Sequence, residues 1–297
     1  MLRRLSSHHM NSALTTRCLQ KPRLTDTSHT TCSSCDNGSN GASCEALLPL
    51  MQDGEKTQGW GGSMFYIAAL WDDKMLTVAD KGPATTEKWQ GMRVRPQFVE
   101  KFFADPTVVV DKSAKEIRDL GVDDRAILWG KDRTLELGDN NKFAAGIATP
   151  KWNNNYSTNG TPHDSKNVDI DFFLFRVAEA YLNAAEAAMH LNKEGKAKDY
   201  IDALRKRAHA AVSPSYTLDD VLDERSRELY CEGQRRTDLI RFNQFGGTQA
   251  TYNWDLKGGS PNGTTFAKTY NLYPIPSSEI LSNKNLTQID GYNEVQN

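Results

Sequence analysis

The sequence FFLFRVAEAYLNAAEAAMHL, residues 172–191, decides the fold class of this chain. Its polar residues fall at positions 176, 179, 183, 186 and 190. At about 100° per residue these positions share roughly 80° of arc, so the rest of the helix surface is apolar. Such a helix must pack against neighbours on several sides. We therefore predict a mainly α fold with a buried helix over residues 172–191.

A second helix is predicted directly after the first. The turn between them ends at Gly195, a residue that often terminates a helix. An amphipathic face follows at helical spacing, made by Ala197, Tyr200, Ile201, Leu204 and Ala208. Two helices joined so briefly must run antiparallel, and together they span about the 34-residue period of a tetratricopeptide unit. Because one such hairpin cannot bury its own face, other repeats or a second layer must cover it.

A third helix is predicted to begin at Thr217, where Thr217 and Asp220 form a capping-box pattern, and to continue towards Gly233. It carries Glu224 and Glu228 on one face. The two carboxylates could act as an acid–base pair, but Arg225 and Arg227 beside them favour ionised carboxylates and a structural role. We expect ion pairing along and between the helices, with a contribution of a few tenths of a kcal/mol from each exposed pair.

The region before these helices is aromatic and irregular. Pro96 precedes four apolar residues at helical spacing, Phe98, Val99, Phe102 and Phe103. Residues 120–151 alternate short apolar pieces with Asp-, Asn- and Gly-rich turns, which predicts short strands or irregular connections. Residues 153–167 form a polar surface loop. The expected architecture is therefore a set of helical hairpins with a loop-rich region containing short strands.

Residues 1–44 differ from the rest of the chain. They contain no Phe, Trp or Tyr, and four of the five cysteines fall among them. A segment with so little apolar bulk is predicted to be disordered. No apolar run follows Arg3 and Arg4, so it does not resemble a secretory signal peptide. Cys32 and Cys35 form one CxxC with His29 and Cys44 nearby, but without a second spaced pair we predict no metal site.

Composition excludes several classes of protein. Lys and Arg number 36 against 38 Asp and Glu, a net charge of −2, which gives no indication of nucleic acid as a partner. The longest apolar-leaning stretch, residues 172–191, carries Arg176, Glu179 and Glu186. No segment is therefore predicted to span a membrane.

Four motifs resemble one family. Residues 175–187 (FRVAEAYLNAAEA), 201–208 (IDALRKRA), 222–242 (LDERSRELYCEGQRRTDLIRF) and 273–280 (YPIPSSEI) are similar, in this order, to motifs of the SusD/RagB outer-membrane lipoproteins of Bacteroidetes. The resemblance covers residues 45–297 as the C-terminal domain of a family member. Residues 1–44 match nothing in the family. The resemblance thus implies a truncated SusD-like fold behind a disordered or foreign leader.

The same resemblance implies a function. SusD/RagB proteins are lipid-anchored at the cell outer membrane and carry an irregular ligand-binding region on tetratricopeptide-type helices. They capture oligosaccharides, or peptides in some branches, and deliver them to a SusC-like TonB-dependent transporter. The family implies no catalytic residue and no cofactor. The resemblance implies a signal peptide and a lipid anchor in the full-length protein. This chain shows neither motif.

Candidate glycan-binding residues follow from sugar chemistry. Pyranose rings present flat C–H faces and a rim of hydroxyls, so their sites combine exposed aromatic rings with polar side chains. This mixture occurs at Trp60, Tyr66, Trp71, Trp89, Arg93, Trp152 and Tyr156, with Trp71 and Trp89 as the leading candidates. The alternative is that most of these rings are core residues.

Two other classes of function stay open. One is a helical-repeat scaffold that binds only protein, or a peptide-binding RagB-type subunit. The other is a glycoside hydrolase that uses Asp123 and Asp124. Hydrolases need two carboxyls on opposite sides of the scissile bond, and adjacent residues seldom face one site. We therefore favour a protein that binds oligosaccharides without catalysis.

Overall fold

The computed structural model describes residues 42, 45–138, 141–157 and 160–292. These described residues divide into two compact units, the first ending at residue 232 and the second beginning at residue 233. The predicted disorder of residues 1–44 and the CxxC at Cys32 and Cys35 lie outside the described residues, apart from Ala42. The single domain predicted over residues 45–297 stays a prediction.

The fold is mainly α, as predicted. In the first unit the elements are β1 (Ala46–Leu50), α1 (Ser63–Leu70), α2 (Pro96–Val99), a 3-10 helix (Pro106–Val109), α3 (Ala114–Arg118), β2 (Phe172–Arg176), α4 (Val177–His190), α5 (Glu194–Arg207) and α6 (Leu218–Leu229). In the second unit they are α7 (Arg235–Arg241), 3-10 helices at Lys257–Gly259 and Lys268–Asn271, and α8 (Ser277–Ser282). Of the helices in these described ranges, none combines the length and apolar content needed to cross a bilayer.

The predicted start of the long helix is wrong by five residues. Residues 172–176 form β2, which pairs antiparallel with β1 and sets Leu48 opposite Phe175. A run of aromatic residues favours extended backbone, and the partner strand supplies the hydrogen bonds. Phe173 is buried, whereas Leu174 and Phe175 are exposed, so this ribbon presents apolar side chains to solvent.

The helical hairpin is formed by α4 and α5. Residues 191–193 connect the two helices, and the Tyr181 and Tyr200 rings meet edge to face with centroids 5.6 Å apart. Asn192, the first residue of the predicted turn, adopts a left-handed backbone at φ 55°, whereas Gly195, the residue that we expected to end the turn, lies inside α5. The second layer predicted to cover the hairpin is α6, because Leu229 packs with Ala178, Leu182 and Leu204.

The capping box at the start of α6 is present as predicted. Thr217 Oγ1 accepts a hydrogen bond from Asp220 N at 3.2 Å, and Asp220 Oδ2 accepts one from Thr217 N at 2.7 Å. The helix ends at Leu229, one turn before Gly233. The box therefore satisfies two backbone donors at the helix N-terminus.

Replacing Thr217 by Ala is expected to lower the free energy of unfolding by about 1 kcal/mol, because one helix donor loses its side-chain acceptor. Urea denaturation followed by circular dichroism measures the loss. Ser282→Ala, at an exposed serine that caps no helix N-terminus, is the matched control and should change stability by less than about 0.5 kcal/mol. Equal losses in the two variants would contradict the capping role.

Residues 120–151 consist largely of irregular connections, as predicted. Trp129 and Ala148 form one isolated β-bridge, and Val94 and Ile147 form another. The helix at Pro96 has a single turn, α2, yet Phe102 and Phe103 still pack beside Val99 in a hydrophobic cluster. Tertiary packing therefore places these aromatic residues without a longer helix.

The second unit contains an aromatic cluster of its own. The Phe266 ring centroid lies 5.1 Å from that of Phe245 and 6.0 Å from that of Trp254. The Lys257 Nζ lies 4.6 Å from the Trp254 ring centroid, and this lysine side chain is buried. Burial lowers the Lys257 pKa. Aromatic packing and a cation–π contact stabilise this unit.

Candidate functional site

Three exposed aromatic rings form a continuous surface in the first unit. Trp60, Phe65 and Trp89 are 46%, 49% and 40% exposed. The Trp60 and Trp89 ring centroids lie 4.6 Å apart with planes tilted by 41°, and the Phe65 ring meets Trp89 edge to face at 6.2 Å. We call these three rings the aromatic platform. Exposed aromatic rings in mutual contact are typical of binding surfaces.

Two members of the platform are positioned by the start of α1. Trp60 precedes the helix, and Gly62 between them has φ +63°, with Gln52 where a side chain would project. Phe65 lies in the first turn of α1, whose sequence SMFYIAAL is apolar on every side. Since Met64 and Ile67 face the core, the side bearing Phe65 is left at the surface.

Trp89 is held by the other end of the same helix. Its backbone N–H donates to Ala68 O at 2.7 Å, Gln90 N donates to Trp71 O at 3.0 Å, and Met92 N donates to Ala69 O at 3.0 Å. The last carbonyls of a helix have no partner within the helix, so the segment from residue 89 to residue 92 satisfies them. One short helix therefore fixes both sides of the platform.

Charged side chains border the platform in pairs. Glu87 Oε2 accepts a hydrogen bond from Trp89 Nε1 at 2.8 Å, and Glu87 Oε1 lies 3.6 Å from Lys166 Nζ. The same Lys166 Nζ lies 4.9 Å from the Trp60 ring centroid. Lys88, which precedes Trp89 in the sequence, pairs through Nζ with Asp73 Oδ1 at 2.8 Å.

The loop carrying Lys166 is joined to the segment before Glu87 by hydrogen bonds. Thr86 N donates to Ser165 O at 2.8 Å, and Thr85 Oγ1 donates to Lys166 O at 2.9 Å. Two chain segments therefore form the rim of the platform. They are distant in the sequence, since the Thr85 and Lys166 residues joined by the second bond are 81 positions apart.

Two of the sequence-predicted site residues are corrected to core residues. Trp71 is 0% exposed and Trp152 is 3% exposed, and Trp71 Nε1 donates to Trp152 O at 2.6 Å. The Trp152 ring stacks on Phe172 at 5.5 Å. Their burial against the inner side of α1 leaves no ring face for a sugar, so Trp71 is not the leading candidate that the sequence indicated.

Three further predicted residues, Tyr66, Arg93 and Tyr156, are half-buried. Tyr66 stacks on Phe172 with ring centroids 5.4 Å apart, and Arg93 Nη1 donates to Lys142 O at 2.7 Å and to Ala145 O at 3.2 Å. Tyr156 donates its hydroxyl hydrogen to Asp169 Oδ2 at 3.4 Å. Of the seven candidates, Trp60 and Trp89 are brought together with open ring faces. Sequence reasoning missed Phe65, Glu87 and Lys166.

A signal for Phe65 was present in the sequence. A helix with apolar residues on every side that lies beside a core must leave one of its large side chains exposed. Glu87 and Lys166 had no such signal, since an acidic and a basic residue in polar loops resemble many others in this chain. Only their contacts with the two tryptophans distinguish them.

The carboxylates considered for catalysis are held by arginines. Glu224 is buried, with its oxygens 2.7 Å from Arg125, 2.8 Å from Arg205 and 2.8 Å from Arg227. Burial by itself raises the pKa of this carboxyl, but the three guanidinium groups outweigh it and lower the pKa to about 2. Glu224 therefore stays ionised and suits a structural role.

Glu228 is buried in the same network. Its carboxylate lies 3.1 Å from Arg125 and 2.7 Å from Arg176, and it also pairs with Arg207. Ion pairing along and between helices is present as predicted, but the small contribution expected of exposed pairs does not apply, because these pairs are buried between α6 and distant segments. Arg225, which we expected beside the glutamates, donates to Asn183 Oδ1 at 2.7 Å.

The adjacent aspartates of the hydrolase hypothesis have separate partners. Asp123 pairs with Arg125 at 2.7 Å. Asp124 pairs with Arg118 at 2.9 Å and with His209 Nδ1 at 2.6 Å. Each carboxylate is thus engaged in an ion pair of its own, and this arrangement gives no support to the hydrolase hypothesis.

One group of potential metal ligands was not predicted. Asp53, His163 and Asp169 each offer a ligand atom, and the three atoms lie within 4.8 Å of one another. The Asp169 carboxylate already accepts hydrogen bonds from Gly54 N at 2.8 Å and from His163 N at 3.0 Å. These bonds account for the burial of Asp169 without a cation.

Comparison with known proteins identifies the family. A sequence profile described as the SusD family matches residues 44–292. The chain belongs to the SusD family. Starch-binding protein SusD of Bacteroides thetaiotaomicron is 36% identical to this SusD-family chain over 291 residues, covering 86% of the chain and 51% of that protein. SusD-like protein P25 of Formosa agariphila is 32% identical over 129 residues, covering 40% of the chain and 24% of that protein.

Solved structures have the same fold. A laminarin-binding SusD-like protein superposes with a TM-score of 0.58 at 22% identity, covering 91% of this SusD-family chain and 54% of its own. A SusD superfamily protein from Parabacteroides distasonis gives a TM-score of 0.57 at 18% identity, covering 89% and 53%. At these identities the likeness concerns the fold. The chain spans about half the length of SusD and of these two solved structures.

Proposed function

We propose that this SusD-family chain binds oligosaccharides on the aromatic platform without catalysing a reaction. The observation that carries the proposal is the contact between Trp60 and Trp89, two exposed rings 4.6 Å apart that are held from opposite ends of α1. Flat rings stack on the C–H faces of pyranoses, and the paired charges at the rim can bond to hydroxyls. The names of its relatives, a starch-binding and a laminarin-binding protein, point to the same class of ligand.

The affinity expected of this surface is modest. Stacking on one aromatic ring contributes on the order of 1 kcal/mol beyond the area buried, and three rings cannot produce tight binding. Weak, reversible capture suits a protein that passes its ligand on. From membership of the SusD family we further propose that the chain acts at the cell outer membrane, with delivery to a SusC-like TonB-dependent transporter as its role and a lipid anchor in the full-length protein.

Replacing Trp89 by Ala is expected to weaken oligosaccharide binding about tenfold or more, because the central ring of the platform is lost. Isothermal titration calorimetry of the full chain against maltoheptaose and laminarihexaose measures the change. Trp60→Ala should weaken binding in the same direction. Phe175→Ala, at an exposed aromatic residue on β2, is the matched control and should leave the affinity within a factor of two.

Other outcomes would point to the alternative functions. Retention of sugar binding in Trp89→Ala would move the site elsewhere on the chain. Binding of a peptide library with no response to either sugar would favour the peptide-binding branch. Release of reducing ends from the oligosaccharides would contradict the non-catalytic role.

A further inference from the structure

We propose that Glu87 is the positioning residue of the aromatic platform and that its pairing with Lys166 makes the platform select uncharged glycans over anionic ones. This inference rests on the function proposed above. It assigns a role to a half-buried glutamate that contacts Trp89 directly and Trp60 through Lys166. It also names the class of sugar that the site accepts.

Glu87 connects the two tryptophans through its two carboxylate oxygens. Oε2 accepts the hydrogen bond from Trp89 Nε1 at 2.8 Å, which restricts rotation of that indole. Oε1 lies 3.6 Å from Lys166 Nζ, and this ammonium lies 4.9 Å from the Trp60 ring centroid. A single carboxylate therefore orients one ring directly and the other through a cation–π contact.

The charges at the rim decide the class of ligand. At the platform Lys166 is paired with Glu87, and Lys88, next to Trp89 in the sequence, is paired with Asp73. An anionic sugar that approached either lysine would meet a carboxylate beside it, and like charges in contact are unfavourable. A neutral sugar meets no such repulsion and can use both groups as hydrogen-bond partners. The balanced rim therefore favours neutral glycans.

Two substitutions separate positioning from charge. Glu87→Gln keeps an oxygen that can accept from Trp89 Nε1 but leaves Lys166 without its carboxylate. Glu87→Ala removes both contacts. Glu279→Gln, at an exposed glutamate in the second unit, changes the net charge equally and serves as the control.

The test is calorimetry of the full chain at low salt with maltoheptaose as the neutral probe and hexagalacturonate as the anionic probe. Glu87→Ala should weaken maltoheptaose binding about five- to tenfold. The affinity of the Glu87→Gln variant for maltoheptaose should stay within about twofold of that of the original chain. Glu87→Gln should also strengthen hexagalacturonate binding about two- to fivefold, and 0.5 M salt should remove that gain.

The outcomes distinguish this inference from the proposed function. If the original chain binds maltoheptaose and Glu87→Ala binds it equally well, the positioning role is overturned while sugar binding stands. If Glu87→Gln gains no more affinity for hexagalacturonate than Glu279→Gln does, the selection by charge is overturned. If Trp89→Ala and the original chain both fail to bind any sugar, the proposed function and this inference fall together.

Discussion

Replacing Glu228 by Gln is expected to lower the free energy of unfolding by about 3–5 kcal/mol, the largest effect that we predict for a single substitution. The Glu228 carboxylate is buried among Arg125, Arg176 and Arg207. Removing its charge leaves three guanidinium groups close together with less compensating negative charge. Desolvated cations with too little compensating negative charge are costly in the low-dielectric interior.

The loss should be measured by urea denaturation at neutral pH, followed by tryptophan fluorescence. Asp119→Asn is the matched control, because it breaks the exposed pair between Lys115 and Asp119 at 2.7 Å. Exposed pairs contribute little, so the control should change stability by less than about 1 kcal/mol. A Glu228→Gln variant as stable as Asp119→Asn would show that the buried network is not needed for the fold.

Acidification is expected to destabilise the chain steeply between about pH 5 and pH 2. The folded-state pKa of Glu224 is about 2, below its ordinary value of 4.5, because three arginines outweigh the effect of burial. A carboxyl with a lowered pKa stabilises the fold at pH values above its unfolded pKa. That contribution, on the order of 3 kcal/mol, is lost as pH falls towards the folded pKa. Glu45, whose pKa is also lowered, acts in the same direction.

The pH dependence should be measured by urea denaturation at intervals between pH 7 and pH 3. In the Glu224→Gln variant the slope of unfolding free energy against pH should be shallower below about pH 4.5, by up to about 1.4 kcal/mol per pH unit. Glu100→Gln, at an exposed glutamate, should leave the slope unchanged. Identical slopes in the original chain and the Glu224→Gln variant would show that protonation of Glu224 does not cause the loss of stability in acid.

Local patterns predicted the helices well. The hairpin of α4 and α5 and the third helix α6 follow from periodicity that repeats within a few residues, and the capping box joins residues only three apart. The four motifs also indicated the family before any contact was known. These features depend on neighbours along the chain, so the residues that decide them can be seen together in the sequence.

Pairings between distant segments were not visible in the same way. The strand at residues 172–176 was predicted as helix, because its partner strand β1 lies more than a hundred residues upstream, as the pairing of Leu48 with Phe175 shows. Arg125 and Arg176 were likewise not expected as partners of Glu228. The bonds that join them span 103 and 52 residues. Local charge pattern therefore suggested exposed pairs where the fold buries them.

By itself, the sequence determined that this chain is helical, that it resembles the SusD family and that it has aromatic residues enough for a sugar site. The tertiary structure alone decided which aromatic rings remain open. Trp71 and Trp89 are the same kind of residue eighteen positions apart, yet Trp71 is buried in the core and Trp89 is exposed. Exposure depends on which side of a helix the folded chain covers, and that is settled by contacts between segments far apart in the sequence.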